Sequence, residues 1–367
     1  MKTADLREIL TRLDQGRGAG KKEIKTLLSL SDPDHIEQLF RAARKVRSRI
    51  FGKGVFLYGF LYFSTHCRND CRFCQYRQSN KRLPRYRKTQ TEILAAAREM
   101  AAAGVHLIDL TMGEDPELYA REGAGFDGFI SMIQSVQKET GLPVMISPGA
   151  VPDRVIEQLA GVGATWYACY QETHTPALFN SLRQGQCFEA RLAKKHLARD
   201  LGMLVEEGLL TGVGETPDDL ADSIVWMKNF SVDQARAMTF IPHAGTPMAA
   251  AFPRDNVKEQ MIIAVLRLVL HDCLIPASLD VDGLGGLKAR LDAGANVVTS
   301  IVPPRKGLAG VANPSRDIED SRRTLDHILP ILETCGLSPA SLEAYRSWIT
   351  NRQKISERCY LDTEPPC

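Results

Sequence analysis

Short apolar segments alternate with amphipathic segments along most of the chain. From residue 55 onward, apolar runs of strand length are separated by stretches in which apolar residues recur at helical spacing. Eight strand–helix units of this kind predict an α/β fold, a complete (βα)8 TIM-type barrel whose active site forms at the carboxyl ends of the strands. The candidate strands lie at residues 55–65, 104–113, 143–150, 165–173, 204–213, 235–241, 275–283 and 297–304.

Helical segments are predicted on both sides of the barrel. Residues 1–50 carry apolar stripes at helical spacing and are predicted to form an N-terminal helical cap. Asp32-Pro33 is an expected helix start, since Asp is a good N-cap and Pro suits the first helical position. We assign residues 51–335 to the barrel and 336–367 to a C-terminal helix and tail.

The sequence also predicts the C-terminal helices and leaves one alternative fold. Closing helices are predicted at 315–334 and 339–350, with a loose tail beyond residue 351. A doubly wound open sheet is the alternative fold, and the lack of a dinucleotide-binding glycine fingerprint disfavours it.

Composition and charge narrow the functional classes. Of the 367 residues, 44% are hydrophobic and 25% charged, and the net charge is +2, so nothing indicates a nucleic-acid or membrane partner. No N-terminal segment resembles a signal peptide, and no apolar run approaches the roughly 20 residues of a membrane span. Most cysteines are scattered without paired spacing. We therefore predict a cytoplasmic protein.

Three cysteines, Cys67, Cys71 and Cys74, follow the first predicted strand. Soft thiolate ligands select iron–sulfur clusters, zinc or copper(I). Most iron–sulfur clusters have four cysteine ligands, whereas the next cysteine here is Cys169. An iron without a protein ligand would be open for catalysis. The alternatives are a zinc site completed by His66 or a distant cysteine, and an electron-transfer cluster.

Basic residues surround these cysteines, with Asp70 as the one acid among them. We expect some of them to offset the negative charge of a cluster and the others to form a solvated face. Nucleic-acid binding, with Tyr76 and Tyr86 interleaved, is the alternative interpretation. The basic residues are Arg68, Arg72, Arg77, Lys81, Arg82, Arg85, Arg87 and Lys88.

Charged residues also interrupt three of the predicted strands. Asp109, Arg236 and Asp280 each lie in apolar sequence, where an unpaired charge would be costly. They must therefore pair with each other or meet a ligand of opposite charges. Two carboxylates and one guanidinium suit a diamino acid, and a structural ion pair across the barrel is the alternative.

The Cys-x3-Cys-x2-Cys spacing, with Phe73 before the third cysteine, resembles the radical S-adenosylmethionine (SAM) enzymes. The resemblance implies that the three cysteines bind a [4Fe-4S] cluster and that SAM chelates the fourth iron. Met112 departs from the family pattern, which has a second glycine before Gly113. The SAM-contacting residues that the resemblance implies are Tyr76, Gly113, Glu114, Glu172, Arg183, Arg191 and Gly212.

A narrower resemblance spans most of the chain. The motifs YFSTHCRNDCRFC, IDLTMGED, ISPG, YQET, LRQGQ, GLLTGVG, RAMTF, IPASLD and AGANVVTSIVPP resemble the methylornithine synthase family of pyrrolysine biosynthesis. This implies isomerisation of L-lysine to (3R)-3-methyl-D-ornithine through a 5′-deoxyadenosyl radical, with a reducing donor such as a ferredoxin or flavodoxin. The implied lysine-binding residues are Asp109, Ser147, Arg236, Ser278, Asp280, Thr299 and Ser300.

Two other functions remain open at this point. One is a different radical SAM enzyme, of the biotin synthase or hydrogenase maturase type, acting on another small molecule. The other is a metal-binding protein without catalysis.

Overall fold

Eight parallel strands form the wall of a barrel in the computed structural model, which describes residues 3–120, 125–250, 256–313 and 322–361. The predicted TIM-type (βα)8 fold is confirmed. The strands are β1 (Gly54–Ser64), β2 (Leu107–Met112), β3 (Val144–Ser147), β4 (Trp166–Ala168), β5 (Leu204–Thr211), β6 (Gln234–Thr239), β7 (Pro276–Ser278) and β8 (Val297–Ile301).

Helices surround the barrel and precede it. Three of them come before β1, and the others follow successive strands. They are α1 (Thr3–Asp14), α2 (Lys21–Leu28), α3 (Pro33–Phe51), α4 (Gln90–Ala103), α5 (Pro116–Tyr119), α6 (Phe126–Thr140), α7 (Asp153–Gly161), α8 (Pro176–Leu182), α9 (Phe188–Asp200), α10 (Pro217–Phe230), α11 (Asn256–Val269), α12 (Leu287–Asp292), α13 (Leu325–Thr334) and α14 (Leu342–Leu361).

Hydrogen bonds run around almost the whole barrel. The strands pair in the order β6-β5-β4-β3-β2-β1-β8-β7. Between β6 and β7, the N–H of Ala235 donates to the carbonyl of Leu274, and the N–H of Leu274 donates to the carbonyl of Asp233, both at 2.9 Å. This short contact joins the two ends of the strand order. Two further short elements are a 3₁₀ turn at Gly283–Gly286 and a strand β9 at Ser338–Pro339, which pairs with β1.

Each predicted strand overlaps an observed one, but the observed strands are mostly shorter at their carboxyl ends. For example, β4 ends at Ala168 and β7 at Ser278. The residues beyond these ends leave the ladder and form the loops that surround the site. At the other side of the barrel, Asp32 caps α3 as predicted, because its carboxylate accepts the N–H groups of Asp34 and His35.

The C-terminal region differs from the prediction in two respects. The helix predicted for 315–334 begins only at Leu325, and residues 314–321 lie outside the described part of the chain. The predicted loose tail beyond residue 351 is wrong, because α14 continues to Leu361. The division into cap, barrel and C-terminal segment stays a prediction.

Aromatic packing explains why a polar sequence is helical here. Trp348 of α14 stacks on Trp166 at a ring distance of 5.8 Å, and the hydroxyl of Tyr345 donates to that of Tyr58 at 2.7 Å. Such tertiary contacts supply most of the stability of helices in proteins. They place α14 against the amino-terminal end of the barrel. None of the helices in the described ranges has the length and apolarity needed to cross a membrane.

Arg352 of α14 provides a test of this attachment. Its Nε donates to Asp233 at 3.0 Å and its Nη2 donates to the carbonyl of Val232 at 3.2 Å, both beside the β6–β7 contact. We expect Arg352→Met to lower the free energy of unfolding by about 3 kcal/mol, because breaking this buried pair leaves Asp233 with only the more distant Arg199, at 3.8 Å. Urea denaturation measures this loss.

Arg346→Met is the matched control on the same helix. The Arg346 side chain is exposed and donates to the carbonyl of Gly141, so its replacement should cost less than about 0.5 kcal/mol. Equal effects of the two substitutions would contradict a special role of Arg352.

Candidate active site

A cavity of about 110 Å³ lies at the carboxyl ends of the strands. Apolar side chains such as Phe60 and Met238 line it, together with Cys74. Most of the predicted lysine-binding residues also line it, although they come from β2, β3, β6, β7, β8 and the loop after β7. These are Asp109, Ser147, Arg236, Ser278, Asp280 and Ser300. The remaining one, Thr299, accepts a hydrogen bond from Nη1 of Arg236 at 3.1 Å.

Arg236 has a carboxylate partner that the sequence reading did not identify. Its Nε donates to Glu206 of β5 at 2.7 Å, and both side chains are buried. Burial favours the neutral guanidine, but Glu206 outweighs it and keeps the pKa of Arg236 above its ordinary value. The sequence signal that could have identified Glu206 is an acidic residue within the otherwise apolar sequence of β5.

Asp280 is paired as well. Its Oδ1 accepts Nη1 of Arg323 at 3.3 Å, and its Oδ2 accepts the N–H of Ala312 at 2.6 Å. The alternative interpretation, an ion pair among the three strand charges, is therefore not observed, since Arg236 and Asp280 each pair with another residue. Arg323 comes from a segment between β8 and α13 that carries no sequence signal for this role.

Asp109 differs from Arg236 and Asp280 in its surroundings. Its carboxylate is buried and accepts the hydroxyl of Thr111 at 2.8 Å, and no ion pair to it occurs within the described ranges. Burial, followed by the charge of Glu206, raises the pKa of Asp109 to about 7, although Arg236 and Thr111 act in the opposite direction. Asp109 therefore changes charge near neutral pH.

Three free thiols lie on the loop between β1 and α4: Cys67, Cys71 and Cys74. Sγ of Cys71 accepts Nε2 of Gln186 at 3.0 Å and Nη1 of Arg183 at 3.5 Å. Burial raises the pKa of Cys67 to about 11. Metal binding would have to displace the proton from such a thiol. Within the described residues, no three His, Cys, Asp or Glu side chains are arranged around a single metal ion.

Gly113 and Glu114 connect this loop to β2. A Cβ on Gly113 would lie 2.3 Å from the carbonyl oxygen of His66, so only glycine allows the loop to approach so closely. The Glu114 carboxylate accepts Arg191 and Arg68, each at 3.1 Å. Burial raises the pKa of Glu114, but Arg191 and the hydrogen bonds outweigh it and keep the pKa below its ordinary value.

The structure brings together the predicted residues Glu172, Arg183 and Arg191, but they do not all pair with each other. Glu172 pairs with Arg183 at 3.0 Å, whereas Arg191 pairs with Glu114. Both guanidinium groups also donate to the carbonyl of Tyr170, at 3.0 and 2.9 Å. Glu172 has a φ of 69°, a left-handed conformation that is uncommon outside glycine. Tyr170 is a residue that sequence reasoning missed.

Of the predicted SAM contacts, Glu172 lines the cavity and the other six do not. Two of those six, Tyr76 and Gly212, have structural partners. The buried hydroxyl of Tyr76 donates to the carbonyl of Gly310 at 3.0 Å. Gly212 has a φ of +88°, and its N–H donates to the carboxylate of Glu215.

The segment 306–313 joins the cysteine loop to the cavity. Gln75, which follows the third cysteine, donates from Nε2 to the carbonyl of Val311 at 2.6 Å. Val311 and Ala312 line the cavity, and Ala312 is held by Asp280.

Some of the basic residues around the cysteines have a structural role that was not expected. Arg85 donates to the carbonyls of Thr65, Tyr76, Arg77 and Asn80 at 2.6–3.0 Å. It therefore holds the cysteine loop in shape and is neither a free charge nor part of a solvated face.

Comparisons with known proteins identify the family of this chain. Residues 61–227 match the Radical SAM superfamily. The 3-methylornithine synthase of Methanosarcina acetivorans is 42% identical over 93% of this chain and 96% of its own length. That of Methanosarcina barkeri is 43% identical over 87% and 89%, respectively.

A solved structure gives the same result. The crystal structure of methylornithine synthase (PylB) matches with a TM-score of 0.87 and 41% sequence identity, covering 93% of this chain and 99% of that chain. Because both the sequence identity and the shared barrel extend over nearly the whole chain, this protein belongs to the methylornithine synthase family of radical SAM enzymes.

Proposed function

We propose that this protein isomerises L-lysine to (3R)-3-methyl-D-ornithine in pyrrolysine biosynthesis. The observation that carries this proposal is the single cavity in which Arg236 faces the same space as Asp109 and Asp280, beside Cys74. Lysine has one carboxylate and two ammonium groups, and the cavity lining offers the Arg236 guanidinium with the carboxylates of Asp109 and Asp280. A third carboxylate, Glu172, also lines the cavity but is paired with Arg183.

Different residues are proposed to bind different groups of the substrate. Arg236 binds the carboxylate, while Asp109 and Asp280 bind the ammonium groups. Oγ of Ser147 is buried and has no hydrogen-bond partner in the described part of the chain, so it is free for a polar group of lysine. Rearranging a carbon skeleton requires both ends of the substrate to be held, and positioning is the protein's main contribution.

As a radical SAM enzyme, the protein uses a [4Fe-4S] cluster and SAM, which when bound supply a 5′-deoxyadenosyl radical that abstracts hydrogen. We propose Cys67, Cys71 and Cys74 as the cluster ligands. The donor set fits, since all three are free thiols on one loop and two side-chain N–H groups already point at the Cys71 sulfur.

Charged groups next to this loop are proposed to hold SAM. Arg183 donates to the Cys71 sulfur and pairs with Glu172. Arg191 pairs with Glu114 and donates to Gln186, which is the other donor to the Cys71 sulfur. Gly113 allows the close approach of the loop. Tyr76 and Gly212 remain in the proposal only as residues that shape the surrounding loops.

The remaining partners are also proposals. We propose a reducing protein such as a ferredoxin or flavodoxin as electron donor, and a cytoplasmic location. An enzyme of the biotin synthase or hydrogenase maturase type is not favoured, because both relatives at 42–43% identity are named 3-methylornithine synthase.

The activity can be tested directly. Purified without oxygen, the protein should be brown, contain about four iron and four sulfide per chain, and form methylornithine from lysine when given SAM and dithionite. A panel of other amino acids serves as the control. SAM cleavage with another amino acid and not with lysine would indicate a different radical SAM enzyme, and a colourless zinc protein would indicate a binding protein.

Substitution of Arg236 tests the carboxylate clamp. We expect Arg236→Ala to keep the iron content and to lose lysine turnover by about 100-fold or more, since truncating one partner of a buried charge pair costs several kcal/mol. Iron analysis and product formation by mass spectrometry measure the two effects.

Arg290→Ala is the matched control, because Arg290 is equally buried and paired with Glu259 but does not line the cavity. This variant should be less stable and still convert lysine. Retained lysine conversion by Arg236→Ala would remove Arg236 from the clamp.

The raised pKa of Asp109 predicts a pH dependence. Below about pH 7 Asp109 is protonated and cannot pair with an ammonium group. Lysine affinity should therefore rise by up to about tenfold per pH unit as the pH approaches 7 from below, and level off above it. Calorimetric titration between pH 5.5 and 8.5 measures this limb. Asp109→Asn should abolish the limb, and an unchanged pH profile in that variant would assign it to another group.

A further inference from the structure

Glu206 uses both of its carboxylate oxygens at the centre of the barrel. Oε1 accepts Nε of Arg236 at 2.7 Å, and Oε2 accepts the hydroxyl of Tyr170 at 2.8 Å. The Glu206 side chain is fully buried and does not line the cavity. It therefore acts on two residues of the cavity wall without touching the space that the substrate would occupy.

The contact with Glu206 fixes the plane of the Arg236 guanidinium. A guanidinium is rigid and planar, so holding two of its nitrogens determines the direction of the third. Nε is held by Glu206 and Nη1 by Thr299. The remaining nitrogen, Nη2, makes no hydrogen bond within the described ranges and belongs to a residue that lines the cavity. A substrate carboxylate would meet this edge.

Tyr170 connects Glu206 to the cysteine loop. Its ring lies against Gly208, where a Cβ would come within 2.8 Å of the ring, and the Arg236 guanidinium lies 5.8 Å from its centre. Its carbonyl accepts Arg183, which also donates to the Cys71 sulfur. One residue thus contacts the groups on both sides of the site.

We infer that Glu206 is a positioning residue, which, with Tyr170, aims the free edge of Arg236 at the substrate carboxylate. This inference rests on the proposed function, because the carboxylate is that of lysine. The competing explanation is that Glu206 only neutralises a buried cation, in which case its charge would matter and the length of its side chain would not.

Two substitutions separate these explanations. Glu206→Asp keeps the charge but shortens the side chain, so it cannot reach Arg236 and Tyr170 together. Glu206→Gln keeps the length and one acceptor oxygen but removes the charge. Positioning predicts that the Gln variant binds lysine more tightly than the Asp variant, and neutralisation predicts the reverse order.

The measurement is calorimetric titration of lysine into cluster-loaded protein with SAM and no reductant, so that no turnover occurs. Lysinamide, whose carboxylate is replaced by a neutral amide, is titrated in parallel. We expect Glu206→Asp to raise the Kd of lysine about tenfold or more, with the Kd of lysinamide changed less than about twofold. Equal losses for both ligands would overturn the inference.

Asp233→Asn is the matched control for stability. Asp233 is a buried carboxylate paired with Arg352 and Arg199, and it lies immediately before β6, three residues before Arg236 and outside the cavity lining. Its replacement should lower the Tm without changing either Kd.

If Glu206→Gln does not fold, Tyr170→Phe provides the test, because it removes one hydrogen bond of Glu206 without changing charge. It should raise the Kd of lysine about threefold and leave that of lysinamide unchanged.

The two proposals fail in different ways. Wild-type protein that binds SAM but not lysine would contradict the proposed function. Wild-type protein that binds lysine, combined with an unchanged lysine Kd in Glu206→Asp, would contradict only the role of Glu206.

Discussion

A charge inside the barrel needs a partner, and this requirement determines how the site is built. Isolated charges in a protein interior are destabilising, whereas hydrogen-bonded pairs are tolerated. Almost every charged group near the cavity is therefore already paired. Asp109 is different, because its pKa of about 7 allows a proton to take the place of a partner. The pairs are Arg236–Glu206, Asp280–Arg323, Glu172–Arg183 and Glu114–Arg191.

Much of the barrel could be predicted from the sequence because parallel strands buried on both faces are almost continuously apolar. The same property made Asp109, Arg236 and Asp280 conspicuous, since a charge in such a run is rare. All three line the cavity. The lining serines were suggested only by the family resemblance, since a hydroxyl at a strand end has no distinctive pattern of its own.

The partners of these charges could not be predicted, because a pair depends on distance in space. Glu206 lies next to Glu207 in the sequence, and nothing in the pattern tells which of them faces Arg236. Arg323 is separated from Asp280 by strand β8 and a long connection. The extent of α14 was missed for a related reason, since its last turns are polar and contacts such as Trp348 with Trp166 stabilise the helix from outside its own sequence.

The segment 306–313 connects the cysteine loop to the cavity through two hydrogen bonds. One side of it is hydrogen-bonded to Gln75, adjacent to the third cysteine, and the other to Asp280 in the amino-acid pocket. Any displacement that opens one side strains the bonds at the other. A ligand that displaces this segment at either hydrogen bond would therefore change the affinity of the protein for a ligand at the other, and by reciprocity the two effects would be equal.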